Sequence, residues 1–565
     1  MAKPILPSRP LPSLARLRPA RSVDLDETAE VTFRLRPRDE DTMSERLGGI
    51  LDNLAGHLPH QRQHLTVEEW EERFGAREED MEKVATFARR MGLKVKALRP
   101  GQRSVVVEGP LAKLQKALKV ELENVHEDGE TFRTHSSPVL VPDQLSETLE
   151  AVQGLDETPA LFKRRPRIAE RTKDNFEVRQ VAELYDFPMQ YTGKGQTVAL
   201  LLLGGGFHQE DLDHYFSGIG LKTPQIEVLE LFGAKNKPAS NEAVQRFLKA
   251  QGFEPEPVDS DSLDTPEEDS VNNITWTIET TTDIEVVGAV VPDARIVVVF
   301  APNTQDDQAA AMEHILGAEF REKYGLPTVV SCSWGQYEYR MRSDSLQAME
   351  SALAKAASLG VTVCFASGDF GGGPVYYPAS SIYSLACGGT TILSAPTDRD
   401  VRECVWREGR MDLYFSASGG GASEKFAAPK WQHGAVAPFG VLKRGIPDIS
   451  ALAALATGYA LIIGGAEVGM GGTSSAAPLL GGLVMQIIEA NQDLKKGYRV
   501  GWLTPTIYEP SFEDAFINIC KGDNGLYMAT ATGWDPCTGL GRPVGTKLLA
   551  ALREEVKGSK AKAKT

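Results

Sequence analysis

Apolar positions recur along this chain with two different periods, and the change between them divides it in two. Between residues 26 and 155 the predicted elements are short. Val31, Phe33 and Leu35 alternate with Thr32, Arg34 and Arg36, the two-residue period of a strand with one buried face. Helical spacing follows at 66–74, 77–91 and 111–118, and strand-like pieces fall at 93–98, 104–108 and 119–124. This is a small α+β unit, large enough to fold as a domain. From 178 to 552 the pattern is different. Continuous apolar runs at 197–203, 295–300, 328–332 and 361–366 read as strands buried on both faces, with helical stretches such as 307–322 and 345–358 between them. That alternation predicts an α/β domain whose parallel sheet is covered on both sides. In such sheets functional groups gather at the carboxyl ends of the strands.

Four stretches stand outside these patterns. Residues 1–25 are basic and broken by Pro and Arg, and are expected to be disordered. Residues 156–177 gather Lys163, Arg164, Arg165, Arg167, Arg171 and Lys173 with two prolines. They read either as a solvated linker or as an exposed, cleavable connector, since proteolysis concentrates in linkers. Residues 233–273 are polar and rich in Asp, Glu and Pro, as in a surface insertion. Residues 553–565 end in a basic run and read as a flexible tail.

Composition narrows the function. The chain has 565 residues, 42% of them hydrophobic, and a formal net charge of −16. An acidic surface argues against nucleic acid as a partner, because phosphate binding needs clustered Lys and Arg. No apolar stretch approaches the roughly 18 residues that span a bilayer. The N-terminus has no apolar core of the kind a signal peptide carries. Six cysteines in so long a chain are not a disulfide framework, nor are they spaced as zinc ligands; Cys332 and Cys364 sit in apolar runs and are expected in the core.

Three motifs carry chemistry. Gly471-Gly472-Thr473-Ser474 opens an apolar helix whose inner positions are Leu479, Leu480, Leu483, Val484, Ile487 and Ile488. Ser474 is thus placed at a helix N-terminus, where free N–H groups and the dipole favour developing negative charge. A serine nucleophile needs a base. This part of the chain holds only His208, His214, His314 and His433, none in a subtilisin-like setting, so a carboxylate base comes into view. Glu279 and Asp283 are four residues apart and would share one helix face. Neighbouring carboxylates cannot both ionise cheaply, so such a pair tends to hold one proton. The conflict is that Thr275, Thr277, Thr280, Thr281 and Thr282 are poor helix formers. Asp369 follows the apolar run 361–366 and sits beside glycines. Taken alone, each motif also admits a plain reading: a Gly-rich turn, two surface acids, an Asp in a tight turn.

Together they resemble one family. Glu279-x-x-x-Asp283, Ser333-Trp334-Gly335, Ser367-Gly368-Asp369 and Gly472-Thr473-Ser474-x-x-x-Pro478 occur in the order and spacing of the sedolisins, the serine-carboxyl peptidases, close to their kumamolisin branch. The likeness extends through Ala301-Pro302-Asn303-Thr304, Gly419-Gly420-Gly421 and Gly533-Trp534-Asp535-Pro536. The N-terminal unit, with Leu65-Thr66-Val67-Glu68-Glu69-Trp70 and Gly154-Leu155-Asp156, is similar to that family's prosegment.

The resemblance implies a subtilisin-like doubly wound sheet behind a ferredoxin-like α+β prodomain, which covers the active site until it is cut away. It implies an endopeptidase acting on polypeptides at acid pH, made as a self-processing proenzyme with its own prosegment as inhibitor, and monomeric. Ser474 would be the nucleophile, Glu279 its base and Asp283 the partner that orients Glu279. Asp369 would donate a hydrogen bond to the oxyanion, and so must carry a proton. Trp334 would shape the substrate cleft. One structural Ca²⁺ is implied at Asn518, Ile519, Ala531, Gly533 and Asp535.

Two departures from the family pattern stand out. Members near this branch often carry an acid two residues before Gly204-Gly205-Gly206, where this chain has Leu202, so an outer proton relay is shortened or absent. Asn518 replaces a carboxylate in the calcium set, and fewer charges weaken calcium binding. The resemblance implies an extracellular protein, while the missing leader leaves a cytoplasmic one open. Two other functions compete. A catalytically silent relative serving as a binding protein would have lost active-site residues, yet all four positions are filled. An esterase would want Gly-x-Ser-x-Gly and a histidine base, and neither surrounds Ser474.

Overall fold

A computed structural model describes residues 2–4, 18–20, 22–38, 40–127, 130–135, 137–161, 168–251, 270–394, 402–409, 415–440 and 442–562. The N-terminal unit builds a four-stranded antiparallel sheet from β1 (Thr28–Leu35), β2 (Lys94–Arg99), β3 (Ser104–Pro110) and β4 (Leu149–Gln153), in the order β2-β3-β1-β4. Helices α1 (Glu40–Ala55), α2 (Val67–Phe74) and α3 (Glu78–Arg90) lie between β1 and β2, and α4 (Leu111–Leu118) follows β3. This is the ferredoxin-like arrangement. Val31, Phe33 and Leu35 are buried as their alternation requires, in one core with Val84 of α3 and Leu114 of α4.

The larger unit is subtilisin-like. Its strands are β5 (Ile168–Glu170), β6 (Thr197–Leu202), β7 (Gln225–Glu230), β8 (Arg295–Phe300), β9 (Val329–Cys332), β10 (Thr362–Ala366), β11 (Phe370–Gly372), β12 (Leu385–Ser394), β13 (Arg402–Val405), β14 (Ile449–Leu452), β15 (Tyr459–Ile463) and β16 (Ala466–Met470). An eight-stranded sheet runs β7-β8-β6-β9-β10-β12-β13, with β14 also paired to β12. Every pairing in it is parallel except β12 with β13. The long helices of this unit are α5 (Asn241–Gln251), α6 (Val271–Val290), α7 (Gln305–Ile315), α8 (Ser343–Leu359), α9 (Thr473–Asn491) and α10 (Gly545–Lys562). All six cysteines are free, with Cys332 and Cys364 buried. Among the described residues no helix is long and apolar enough to cross a membrane.

Parts of the four outlying stretches are structured. Within 1–25, Ala2–Pro4 pairs with Leu140–Pro142, and Arg18–Pro19 pairs with Val125 and His126; residues 1, 5–17 and 21 lie outside the described part. The connector 156–177 is not simply solvated. Asp156, Thr158, Ala160, Leu161 and Ile168 are buried, because Asp156 pairs with Arg342 at 3.2 Å and the chain then runs into a cleft. The cluster Lys163, Arg164, Arg165 and Arg167 lies outside the described residues. In 233–273, Ala239, Ala243 and Val244 pack into the main core, so its first half is structural; 252–269 lie outside the described part. The tail from 553 continues α10 as far as Lys562, which helix-forming Ala, Lys and Glu favour.

Candidate functional site

Helix α6 runs through the interior, buried at every position from Thr277 to Val290. Ser270 starts it by accepting the Asn273 N–H at 3.2 Å. Burial removes the water that would otherwise compete for its threonines. Thr275, Thr277, Thr281 and Thr282 fold their hydroxyls onto the carbonyls four residues back at 2.8–2.9 Å. Tertiary packing thus overrides weak propensity. The same helix carries Glu279 to a cleft while Asp283 stays behind it: Glu279 is 8% exposed and Asp283 0%.

Helix α9 presents Ser474 to the same cleft. Ser474 is the second residue of α9, within the first turn, whose N–H groups have no helical partner. Gly472 caps the helix with φ +108°, and a Cβ there would stand 3.0 Å from Asp369 Oδ2. Any side chain at 472 would therefore be strained and would press on Asp369. Asp369 comes three residues after the end of β10, and its Oδ1 accepts both the Thr473 N–H at 2.9 Å and the Thr473 hydroxyl at 2.7 Å. Ser333 and Trp334 leave the end of neighbouring β9. Glu279, Ser333, Trp334, Asp369 and Ser474 line one cleft, at the carboxyl ends of central strands.

Ser333 ties the parts together. Its hydroxyl donates to Asp283 Oδ1 at 2.8 Å and lies 3.2 Å from the Ser474 carbonyl oxygen. The other Asp283 oxygen is buried without a partner among the described residues. Burial above all, then the nearby Glu279 charge, holds the Asp283 carboxyl well above its usual range, against the Ser333 hydrogen bond. Leu202 is a fully buried β6 side chain.

The sequence did not point to three contributors. Trp276 meets Trp334 edge-on, with ring centroids 6.5 Å apart, and fills the space over Gly204 and Gly205, where added Cβ atoms would come within 2.5 Å of it. Its position three residues before Glu279 was the available signal. Tyr376, in a short strand shortly after Asp369, also lines the cleft, and no motif marked it. Leu161 of the connector lies in the cleft, with its N–H and C=O both bonded to the Asn303 carboxamide at 2.9 and 2.8 Å. Beyond the undescribed 162–167, Ile168 pairs with Met470, itself a cleft residue.

The expected calcium ligands do not form a cation site. Asp535 Oδ1 accepts the Cys537 and Thr538 N–H groups at 2.9 Å, and Oδ2 accepts that of Thr530 at 3.1 Å. Asn518 donates its amide N–H to the Thr530 carbonyl at 2.8 Å, and its oxygen is buried without a partner among the described residues. Ile519 packs with Val405 and Cys537, and Ala531 and Gly533 are exposed. Calcium takes about six to eight oxygens. Here one carboxylate is already satisfied by amides, and a neutral amide takes the place of the second. Among the described residues no group of three or more His, Cys, Asp or Glu side chains could hold a metal. A chelator is therefore expected to leave the melting temperature of the full chain unchanged. The Asn518→Asp variant should gain a calcium response worth about 2.7 kcal/mol at a hundredfold excess over Kd; a drop of several degrees in the parent on chelation would contradict this.

Comparisons agree with the geometry. Residues 16–158 match the family described as "Pro-kumamolisin, activation domain", and 272–506 match "Subtilase family". Kumamolisin of Bacillus sp. (strain MN-32) is 34% identical over 561 residues, covering 93% of this chain and 92% of that protein. Sedolisin of Pseudomonas sp. (strain 101) is 24% identical over 553 residues, covering 93% and 87%. The solved structure of Pseudomonas sedolisin, a serine-carboxyl proteinase complexed with pseudo-iodotyrostatin, shares the fold with a TM-score of 0.55 at 24% identity, covering 68% of this chain and 100% of that one. This chain belongs to the kumamolisin branch of the sedolisin family, the serine-carboxyl peptidases, and carries that family's activation prosegment.

Proposed function

We propose that this peptidase cuts within polypeptides at acid pH, through an acyl-enzyme on Ser474. The observation that carries the reading is a hydroxyl in the first turn of α9, opening on a cleft it shares with Glu279 and Asp369. Glu279 takes the Ser474 proton as the oxygen attacks, and returns it to the leaving amine. Asp283 stays protonated in its buried pocket and orients Glu279. The pair together holds one proton in mild acid, and raising the pH strips it. Asp369 accepts two hydrogen bonds on Oδ1, so Oδ2, on the Gly472 side, is the oxygen free to carry a proton. That proton would be donated to the oxyanion, joined by N–H groups of the first turn of α9. Trp334 forms a wall for the substrate.

The prosegment would act as an intramolecular inhibitor, since Leu161 of the connector that follows it already lies against the cleft. Processing would fall in 156–177, and an acidic extracellular setting would suit the chemistry. Incubating the processed enzyme with a peptide library at several pH values tests the reading. Internal cuts, most frequent in acid, are expected. Release of tripeptides from free N-termini alone would overturn the endopeptidase assignment.

A further inference from the structure

The segment between α1 and α2 plugs the prosegment into the peptidase unit far from the cleft. Arg62 is 3% exposed. Its Nη1 donates to the carbonyls of Val500 at 3.0 Å and Trp502 at 2.7 Å, and its Nη2 to the Thr506 hydroxyl at 2.9 Å. Two residues later the His64 imidazole lies in a slot between two glycines. A Cβ on Gly360 would stand 2.7 Å from the ring, and one on Gly501 2.8 Å from Nε2. His64 Nε2 is buried and has no partner among the described residues.

The groups facing this imidazole are overwhelmingly cationic. Arg62 comes from its own segment, along with His60, whose carbonyl accepts Lys495 at 2.8 Å. Lys495, Tyr498 and Arg499 come from the segment opposite, where Arg499 is held by the carbonyls of Leu326, Pro327 and Gly360. Arg321 lines the same cavity, paired with Glu68 of α2, the one carboxylate there among the described residues. We propose that His64 is an acid-release latch. Neutral, it fits the two-glycine slot and the prosegment stays docked; protonated, it adds a positive charge among Arg62, Lys495 and Arg499 that no free carboxylate takes up, and the plug leaves.

The sign follows from linkage. Burial first, then Arg62, Arg499 and Lys495, lowers the docked imidazole from 6.5 to about 3. A base with a depressed docked value supports docking fully above its ordinary pKa. It loses that support as pH falls, by about tenfold per unit below pH ~6.5 until about pH 3. Asp307, at the other end of the interface near Glu30 and Glu157, is pushed up to about 7 by burial and works the opposite way. The contribution of His64 is therefore the difference between parent and variant.

This proposal deepens the zymogen reading and rests on it, but its test needs no catalysis. The full chain carrying Ser474→Ala is followed by hydrogen exchange in peptides covering 57–66 and 494–502, corrected for intrinsic rates, at pH 7 and pH 4.5. Protection is expected to fall by at least about tenfold in that chain, and to hold when His64→Gln is added. Lys495→Glu, which offers the imidazole a carboxylate, should hold it too, and carries the test if His64→Gln does not fold. Equal loss in all three chains, or no loss in the first, would overturn the latch.

Discussion

Replacing Ser474 by alanine is expected to lower peptide hydrolysis by roughly 10⁴–10⁶-fold, as for other serine peptidases stripped of their nucleophile. The full chain should also remain uncut after acid incubation. The expectation is specific to the hydroxyl. Ser474 sits in a helix whose other residues are fixed by burial, and the fold around it is built from Leu479, Leu480, Leu483 and Ile487. Losing one oxygen leaves that packing intact, so stability should hardly change while turnover collapses. Equal rates of processing in parent and variant, with no protease added, would show that the chain does not cut itself.

The second large effect concerns Asp369. Asp369→Ala is expected to lower kcat by about 10²–10³, the cost of one oxyanion donor, with little change in KM. Asp369→Asn should lose less. Its carbonyl oxygen can accept the two Thr473 bonds that Oδ1 accepts now, which turns its NH₂ toward Gly472, where the oxyanion would form. Asp369→Asn should therefore turn over faster than Asp369→Ala. If the alanine and asparagine variants are equally slow at every pH, Asp369 is not an oxyanion donor.

Much of this site was legible in the sequence because its parts fall in short, ordered motifs. Strand ends place Ser333, Trp334 and Asp369, and a helix start places Ser474; periodicity finds both kinds of boundary. The Glu279–Asp283 spacing gave a shared helix face, although the run of threonines argued against a helix. Propensity is a local quantity, and burial of α6 outweighed it. What could not be read was unmarked by any motif: Tyr376 and Leu161 reach the cleft through tertiary packing. Burial at the start of the connector was missed for a related reason. Its charges lie in 163–173, but the residues before them, Asp156 to Leu161, are held by Arg342 and Asn303, partners more than a hundred positions away. At the calcium positions the hydrogen bonds that already satisfy Asp535 could not be read from sequence.

The most direct test is the pH–rate profile of the processed enzyme on an internally quenched peptide, read as kcat/KM. Carboxyl groups as base and oxyanion donor predict a maximum in acid and a decline before neutrality. A rate that climbs to a maximum near pH 8, the signature of an imidazole base, would contradict it.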